Sequence, residues 1–419
     1  MKTKMKKAVS LLLAAALLAG LGGSALATQY TGRNYDTYLC LGDSIAAGCA
    51  VPKTADEAVE ISQNPETETH KDMDIQKATE VMADYDASLN YVEYMYHGYN
   101  FEVVPRAYHS LVAEHADTFI QGAVSGTRAV ELRYLLDGVY NDPDKGGFWG
   151  RSVLGTDGSV AQNCAVLDKA DSQLKGIYGV NMKEAVEKAD LITINYGSND
   201  VLSLSMLHVL EDLQKEYRDD AVVSQILSQY TQSGDVYLAF AKVLQYEATC
   251  AANKVNSLLS NFAKNLISAS IAFKTNYAAI LKDIYAMNPD VTVVSVGIYN
   301  PFSQMKLSDT IDLKLDALMA PIIKDLNLYL KSFQGKYSTY QFADCSGVEV
   351  YDMDMSSIGN GDFITRVHPT LESHQYMADQ ILAAAARTQQ SSSSSTAINN
   401  NYSKYLDLLK KLHTRALSW

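Results

Sequence analysis

The sequence predicts an α/β protein built around a parallel sheet. Five short runs are almost continuously apolar, which is typical of parallel strands covered on both faces. Helical patterns separate these runs, as they do in βαβ units. The runs cover residues 37–42, 117–123, 190–196, 291–298 and 340–344. Ligands of such sheets bind beyond the carboxyl ends of the strands, so the residues that directly follow the runs are candidates for a functional site.

The first run ends in a turn that carries a serine. The strand Tyr38–Leu41 leads through Gly42 and Asp43 into Ser44, where a serine is well placed to project its hydroxyl into a cleft. A serine hydroxyl is a weak nucleophile until a base takes its proton. A histidine far along the chain can be that base, because catalytic triads are assembled in space and not along the sequence.

Two candidate donors follow the second and third runs. Gly126 lies in the segment 123–127 and Asn199 in the segment 195–200. A backbone N–H at a glycine and a side-chain amide are donor types that stabilise an oxyanion. Each residue also has a structural interpretation, since Gly126 could serve a turn with positive φ and Asn199 could cap a loop. Asp200 has no evident role in proton transfer, and we interpret it as structural.

These residues stand in motifs that resemble those of the SGNH (GDSL) serine hydrolases, a family named after a serine, a glycine, an asparagine and a histidine. The motifs are GDSIAAG at 42–48, VSGTRAVELR at 124–133, GSND at 197–200 and VHP at 367–369. The resemblance covers about residues 35 to 387. The α/β-hydrolases are a poorer match, because their nucleophile elbow reads G-x-S-x-G and Ala46 stands where the second glycine belongs.

The resemblance implies both a fold and a reaction. Family members have a three-layer α/β/α sandwich with a flavodoxin-like, parallel five-stranded sheet, and here a helical insertion is added. They cleave esters by acyl transfer to water. Carried over to this chain, Ser44 is the nucleophile and His368 the base, and the N–H groups of Ser44 and Gly126 form the oxyanion hole with the side chain of Asn199. No cofactor and no metal are implied.

The histidine motif departs from the family pattern. Pro369 and a predicted helix over 371–386 follow His368 as expected, and His374 is predicted to lie on the surface of that helix. The family usually carries an aspartate three residues before the histidine, where this chain has Thr365. Asp362 is the nearest upstream acid. Asp362, Thr365 or a backbone carbonyl could therefore orient the ring.

The amino terminus predicts export from a bacterial cell. A basic start, a short apolar stretch over 11–21 and the cleavage motif Ala25–Ala27 are typical of a secretory signal peptide over residues 1–27. Removing this segment takes away four lysines and no acids, which lowers the formal charge from −13 to −17. Such a balance argues against nucleic acid as a partner, because nucleic-acid binding rests on neutralising phosphates.

The remaining chain divides into three segments. The hydrolase domain covers 28–390, a Ser/Asn-rich linker covers 391–401, and an amphipathic helix is predicted over 402–419. The helix could dock on a partner or a membrane surface, or pack back on its own domain. A helical insertion over about 201–290 is predicted from residues such as Phe262 and Leu266, and it could be a lid or added scaffold. No run beyond the signal peptide is long enough for a stable membrane span.

The cysteines give little guidance to the function. Their number, five, leaves at least one unpaired, and their spacing fits no zinc site. Cys40 is predicted to be a buried strand residue.

The substrate is predicted only by class. Tyrosines cluster at 85–108, and their amphipathic rings suit either sugar stacking or a half-buried helix. The expected substrate is a carboxylic ester, with a slight preference for an acylated carbohydrate over a lipid. Two alternatives stay open: a lipase or phospholipase with a helical lid, and a catalytically weak, carbohydrate-binding protein of the same fold.

Overall fold

A computed structural model describes residues 35–49, 51, 103–142, 147–154, 156–216, 220–232, 239, 242–243, 246, 252–306, 315–354 and 366–389. The predicted signal peptide (1–27), the linker (391–401) and the tail helix (402–419) lie outside the described residues.

The described part of the chain contains seven strands in two sheets. They are β1 Tyr35–Gly42, β2 Ala116–Gln121, β3 Leu191–Asn195, β4 Thr292–Val296, β5 Met305–Lys306, β6 Tyr340–Ala343 and β7 Met353–Asp354. The central sheet is parallel throughout, with the strand order β2-β1-β3-β4-β6, and β5 pairs with β7 separately. The five predicted strands are thereby confirmed, in the order of a flavodoxin-like sheet.

Helices connect and cover these strands. They are α1 Ser44–Ala47, α2 Tyr108–Ala113, α3 Ala129–Asp137, α4 Val160–Tyr178, α5 Met182–Lys188, α6 Leu204–Glu216, α7 Ala221–Gln232, α8 Ala252–Met287, α9 Leu315–Ser332 and α10 Leu371–Ala386. Gly150–Leu154 and Ser198–Ser203 form π-helical turns. Helix α2 packs against α10, while α8 packs against α3 and α5. The sheet lies between helical layers, as the predicted α/β/α fold requires.

The sheet is buried on both faces in its middle. Every residue of β3, β4 and β6 is buried, which explains why these strands are apolar without alternation. The chain passes from β1 to β2 on one side and then to β3 on the other side of β1. At this reversal the connections diverge and leave a crevice, where ligands of doubly wound sheets bind.

Helix α8 supplies a large part of the core. Its buried residues recur at intervals of three or four and so share one helix face; they include Phe262, Leu266, Phe273, Tyr277, Ile280 and Ile284. The described part of the predicted insertion therefore includes a helix that belongs to the core. A lid over the site stays a prediction. None of the helices in the described part of the chain is both long and apolar enough to cross a membrane.

Candidate active site

Gly42 lets the chain turn sharply at the end of β1. A Cβ at this position would stand 2.4 Å from Cβ of Ala46 and 2.6 Å from the carbonyl oxygen of Asn195. The parallel register pairs Gly42 with Asn195, and the next N–H, that of Asp43, donates to the Asn195 carbonyl at 3.2 Å. The lack of a side chain therefore allows α1 to begin directly against the end of β3.

Asp43 caps the short helix that carries the serine. Its Oδ1 accepts a hydrogen bond from the N–H of Ile45 at 3.1 Å, as N-cap residues do. Gly48, with φ of 78°, ends the helix after four residues. Burial raises the pKa of Asp43 to about 7, and its Oδ2 has no hydrogen-bond partner among the described residues. Ser44 is thus held at the first position of a capped, rigid turn.

Ser44 and His368 meet across the crevice. Nε2 of His368 lies 2.9 Å from Oγ of Ser44, within the range of a hydrogen bond between a hydroxyl and an imidazole. His368 is 7% exposed, so water has limited access to its ring. This contact joins the first and last motifs of the sequence.

The segment around His368 is held from several directions. The hydroxyl of Tyr299 donates to the carbonyl of Val367 at 2.7 Å, and Tyr299 and Val367 are both buried. Pro369 forms an isolated antiparallel bridge with Val350. Thr370 then caps α10 by accepting from the N–H of Ser373. His368 therefore lies between Val367, whose carbonyl is bound by Tyr299, and Thr370, which caps α10.

Gly126 lies in a tight turn after β2. Its φ is 75°, a conformation that favours glycine. The turn is closed by the N–H and the hydroxyl of Thr127, which donate to the carbonyl of Val124 at 3.2 and 2.7 Å. Within the described part of the chain, neither the N–H of Gly126 nor that of Ser44 has a protein acceptor. Both N–H groups are therefore available to a ligand.

The amide of Asn199 is fixed by neighbouring groups. Its Nδ2 donates to the carbonyl of Thr127 at 3.1 Å, and its Oδ1 accepts from the hydroxyl of Ser203 at 3.1 Å. An amide nitrogen carries two hydrogens, so one remains after the bond to Thr127. The structure thus connects the loop after β3 to the turn that contains Gly126.

Asp200 strengthens the same connection. Both of its carboxyl oxygens accept from the N–H of Ala129, at 2.9 and 3.0 Å, at the start of α3. Burial raises the pKa of Asp200 to about 8, although the charge of Arg128 opposes this shift. These contacts agree with the structural role that the sequence suggested.

A buried ion cluster lies beside this loop. The Arg128 guanidinium pairs with Glu131 at 2.8 Å and Asp142 at 2.7 Å, and it lies 4.8 Å from the ring centre of Trp149. All four side chains are buried. Buried charges need such partners, so the cluster fixes the start of α3 and the turn before it.

The expectation for His374 was wrong, and one of the two interpretations of the tyrosine cluster is excluded for Tyr108. His374 is fully buried, not on the surface, and its Nδ1 accepts from the N–H of Tyr108 at 3.2 Å. Tyr108 is also fully buried, with its hydroxyl 3.7 Å from the sulfur of Cys40, so it is not a sugar-stacking ring. The reason is that α10 and α2 pack on each other, which covers both residues. Cys40 is buried as predicted.

Several predicted residues fall outside the described part of the chain. Among them are Asp362 and Thr365, and the other tyrosines of the 85–108 cluster. Among the described residues, cysteines 40, 164 and 345 are free thiols, and Cys250 is outside the described residues.

Sequence reasoning missed three residues that contact the site. His109 and Gln121 donate to the carbonyl of Ala46 on the serine helix, and Tyr299 anchors the histidine segment. Gln121 could have been noticed as a polar residue near the end of an apolar run. His109 and Tyr299 carry no local signal.

The chain is similar to a known protein family and to solved structures. A family model described as GDSL-like Lipase/Acylhydrolase matches residues 38–381. Among solved structures, the lipase Lip_vut3 from a goat rumen metagenome is 17% identical, with a TM-score of 0.35, over 84% of this chain and 97% of the other. An extracellular lipase from Streptomyces rimosus is 12% identical, with a TM-score of 0.41, over 83% and 99%. A search among curated proteins found no match. Because the family match spans most of the chain and contains all four motifs, the protein belongs to the GDSL-like lipase/acylhydrolase family of ester hydrolases.

Proposed function

We propose that the protein hydrolyses carboxylic esters through a covalent acyl intermediate on Ser44, with His368 as the general base. The observation that carries this proposal is the 2.9 Å contact between Oγ of Ser44 and Nε2 of His368. A nucleophile within hydrogen-bond reach of a base is the basic requirement of this chemistry.

In the first half of the reaction, Nε2 of His368 takes the proton of the Ser44 hydroxyl while Oγ bonds to the ester carbonyl carbon. The carbonyl oxygen becomes an oxyanion. Collapse of the tetrahedral intermediate breaks the bond to the alcohol, and His368 gives its proton to the departing oxygen. In the second half, water attacks the acyl-serine with His368 again as base, and Ser44 is restored as the acid leaves.

The oxyanion is stabilised by three donors. The N–H groups of Ser44 and Gly126 have no protein acceptor among the described residues, and Nδ2 of Asn199 has a second hydrogen beyond its bond to Thr127. Losing one such donor typically lowers kcat about 10²–10³-fold. Because all three are fixed by turns or hydrogen bonds, they need little reorganisation as charge develops.

The group that orients His368 comes from Asp362, Thr365 or a backbone carbonyl. Asp362→Asn and Thr365→Val separate these cases. Loss of a carboxylate partner lowers kcat by up to about 10⁴-fold, whereas loss of a hydroxyl has a smaller effect because the imidazolium is then stabilised only by a dipole. Wild-type kcat in both variants would exclude both side chains and leave a backbone carbonyl.

The experiment that tests the proposal is hydrolysis of p-nitrophenyl esters from acetyl to palmitoyl. The variant is Ser44→Ala, and the matched control is Ser172→Ala. Ser172 is an exposed serine on α4 whose hydroxyl donates to the carbonyl of Asp168 in the same helix. Ser44→Ala is expected to lose about 10⁴-fold or more in kcat, and the control to keep wild-type rates. Equal activity in the wild type and Ser44→Ala would refute the serine mechanism.

The chain-length profile separates the substrate classes. A preference for acetyl or butyryl esters would indicate a short-chain esterase and would direct the search to acylated carbohydrates. A strong preference for palmitoyl esters would favour a lipase whose 201–290 segment covers the site. Inactivity on every ester would support a binding protein of the same fold.

We also propose that the protein is exported after cleavage behind Ala27. The proposal is supported by the basic start, the apolar stretch and the motif Ala25–Ala27. Amino-terminal sequencing of protein recovered from culture medium is expected to begin at Thr28. A cell-associated chain that begins at Met1 would contradict it.

A further inference from the structure

The carbonyl of Ala46 needs a partner that the serine helix cannot supply. Helix α1 is only four residues long, and its last carbonyls lack the donors that a longer helix provides. The carbonyls of Asp43, Ser44 and Ile45 accept from backbone N–H groups just after them. Ala46 is fully buried, so its carbonyl cannot turn to water. An unsatisfied buried carbonyl would destabilise the fold.

Two buried nitrogen donors satisfy this carbonyl, and the thiol of Cys40 lies 3.8 Å from the same oxygen. Nδ1 of His109 lies 2.8 Å from the oxygen of Ala46, and Nε2 of Gln121 lies 3.1 Å from it. His109 is fully buried and Gln121 is 1% exposed. The serine helix is therefore anchored from α2 and from the end of β2 at one point, two residues after the nucleophile.

The other nitrogen of His109 determines which tautomer is present. The N–H of Val104 donates to Nε2 of His109 at 3.1 Å, so Nε2 carries no hydrogen. The hydrogen of the neutral ring is then on Nδ1, where it donates to Ala46. The amide nitrogen of Gln121, which lies 3.1 Å from Nδ1, then donates to the carbonyl of Ala46 and not to the ring. Burial lowers the pKa of His109 to about 4, so the ring is neutral at the pH where ester hydrolases are assayed. A protonated His109 ring would carry a second N–H, on Nε2, and this group would face the N–H of Val104.

Gln121 extends the anchor toward the oxyanion turn. Its Oε1 accepts from the N–H of Ala123 at 3.1 Å, in the segment that leads to Gly126. One amide therefore holds the serine helix with its nitrogen and the residue just before the second motif with its oxygen. Because His109 and Gln121 converge on the same carbonyl, a shift of either one displaces the turn that presents the nucleophile.

We propose that His109 is a positioning residue for the reaction, acting as a neutral imidazole that holds the Ser44 helix in place through the carbonyl of Ala46. The inference rests on the proposed function, since it assigns a role in presenting the nucleophile. His109 has no contact with a reacting atom, so its effect is on kcat. Displacement of a nucleophile by about 1 Å can cost about 10²-fold in rate.

Two conservative variants distinguish positioning from general packing. Asparagine places its amide nitrogen at the same bond distance from Cβ as Nδ1 of histidine, whereas glutamine places its amide atoms at the distance of Nε2. His109→Asn can therefore still donate to Ala46, and His109→Gln can only replace the contact with Val104. Ser110→Ala is the matched control, because the Ser110 hydroxyl binds the carbonyl of Val104 at 2.6 Å from the same helix without reaching Ala46.

The measurements are kcat and KM on a p-nitrophenyl ester, the rate of Ser44 labelling by a fluorophosphonate, and the thermal unfolding midpoint. His109→Gln is expected to lower kcat and the labelling rate about 10²-fold while KM changes less than about twofold. His109→Asn is expected to stay within about threefold of wild-type kcat. Ser110→Ala is expected to keep wild-type kcat even where its unfolding midpoint falls.

The outcomes separate this inference from the proposed function. Wild-type kcat in His109→Gln, or an equal loss in the Asn and Gln variants, would overturn the positioning role alone. A loss of kcat in Ser110→Ala that matches its loss of thermal stability would overturn it too. A wild-type chain whose hydrolysis and labelling equal those of Ser44→Ala would overturn both the proposed function and the role of His109.

Discussion

Replacing Gly42 with alanine should displace the serine turn without touching a reactive group. The added Cβ would stand 2.4 Å from Cβ of Ala46 and 2.6 Å from the carbonyl oxygen of Asn195. Neither neighbour is the flexible end of a long side chain. One belongs to the serine helix and the other to the backbone of β3, so one of these elements has to move.

The size of the movement follows from these distances. Ordinary contact begins at 3.4 Å, and the closer neighbour falls short of it by about 1 Å. Strand β3 is buried at every residue and paired on both sides, so α1 is the element that yields. A shift of that size at a nucleophile costs about 10²-fold in kcat. Overpacking should also lower the free energy of unfolding by about 1–3 kcal/mol.

The assay compares kcat, KM and urea unfolding for Gly42→Ala and Gly176→Ala. Gly176 lies in α4, and a Cβ there would meet nothing within 4 Å. The control variant should keep wild-type kcat and gain up to about 1 kcal/mol of stability, because alanine is the better helix former. Wild-type kcat in Gly42→Ala would refute the argument, since the serine would then not depend on the close approach of α1 to β3.

Two further predictions concern residues around the site. Tyr299→Phe removes the hydroxyl that donates to the buried carbonyl of Val367. It should lower the free energy of unfolding by about 1–3 kcal/mol and kcat by about tenfold. Urea unfolding and steady-state kinetics measure the two effects, and a loss of stability with unchanged kcat would exclude an effect on the adjacent His368. Asp200→Asn tests the raised pKa of about 8: the folded state favours the neutral carboxyl, so its stabilising contribution is complete below about pH 4 and is lost as the pH rises to 8. The unfolding free energy of the wild type should thus fall relative to the variant by about 1.4 kcal/mol per pH unit over that interval, and parallel curves from pH 5 to 8 would contradict the shift.

The strands could be predicted because the fold buries them on both faces. Each of the five apolar runs became a strand of the central sheet, with bounds that agree within two residues. A continuously apolar run can be recognised from local composition alone. The order of the strands came from the family resemblance, since the sequence of a strand does not state which neighbour it pairs with.

Burial of polar residues on helices was harder to predict. The helical pattern at 371–386 indicates that one face of α10 is buried, but it does not indicate how wide that face is. Helix α2 covers a further part of α10, and His374 is buried there against the N–H of Tyr108. The sequence did not indicate a role for His109 either, because its contact with Ala46 forms only when α2 packs beside α1.

The four motif residues, in contrast, could be located from the sequence alone. Ser44, Gly126 and Asn199 each follow a strand, and the carboxyl ends of parallel strands meet at one edge of a sheet. His368 was located through its motif and not through a pattern of hydrophobicity. The structure brings it to Ser44, with Nε2 of His368 2.9 Å from Oγ of Ser44.

The distance along the chain between the two reacting groups has a consequence for folding. Ser44 and His368 are 324 residues apart, and all five strands of the central sheet lie at or between the segments that carry them. Contacts between such distant residues form only after a large loss of chain entropy. A ribosome-bound chain that has exposed the nucleophile still lacks its base. Regain of hydrolysis after dilution from denaturant should therefore lag behind the regain of helical circular dichroism, which makes turnover a reporter for the docking of α10.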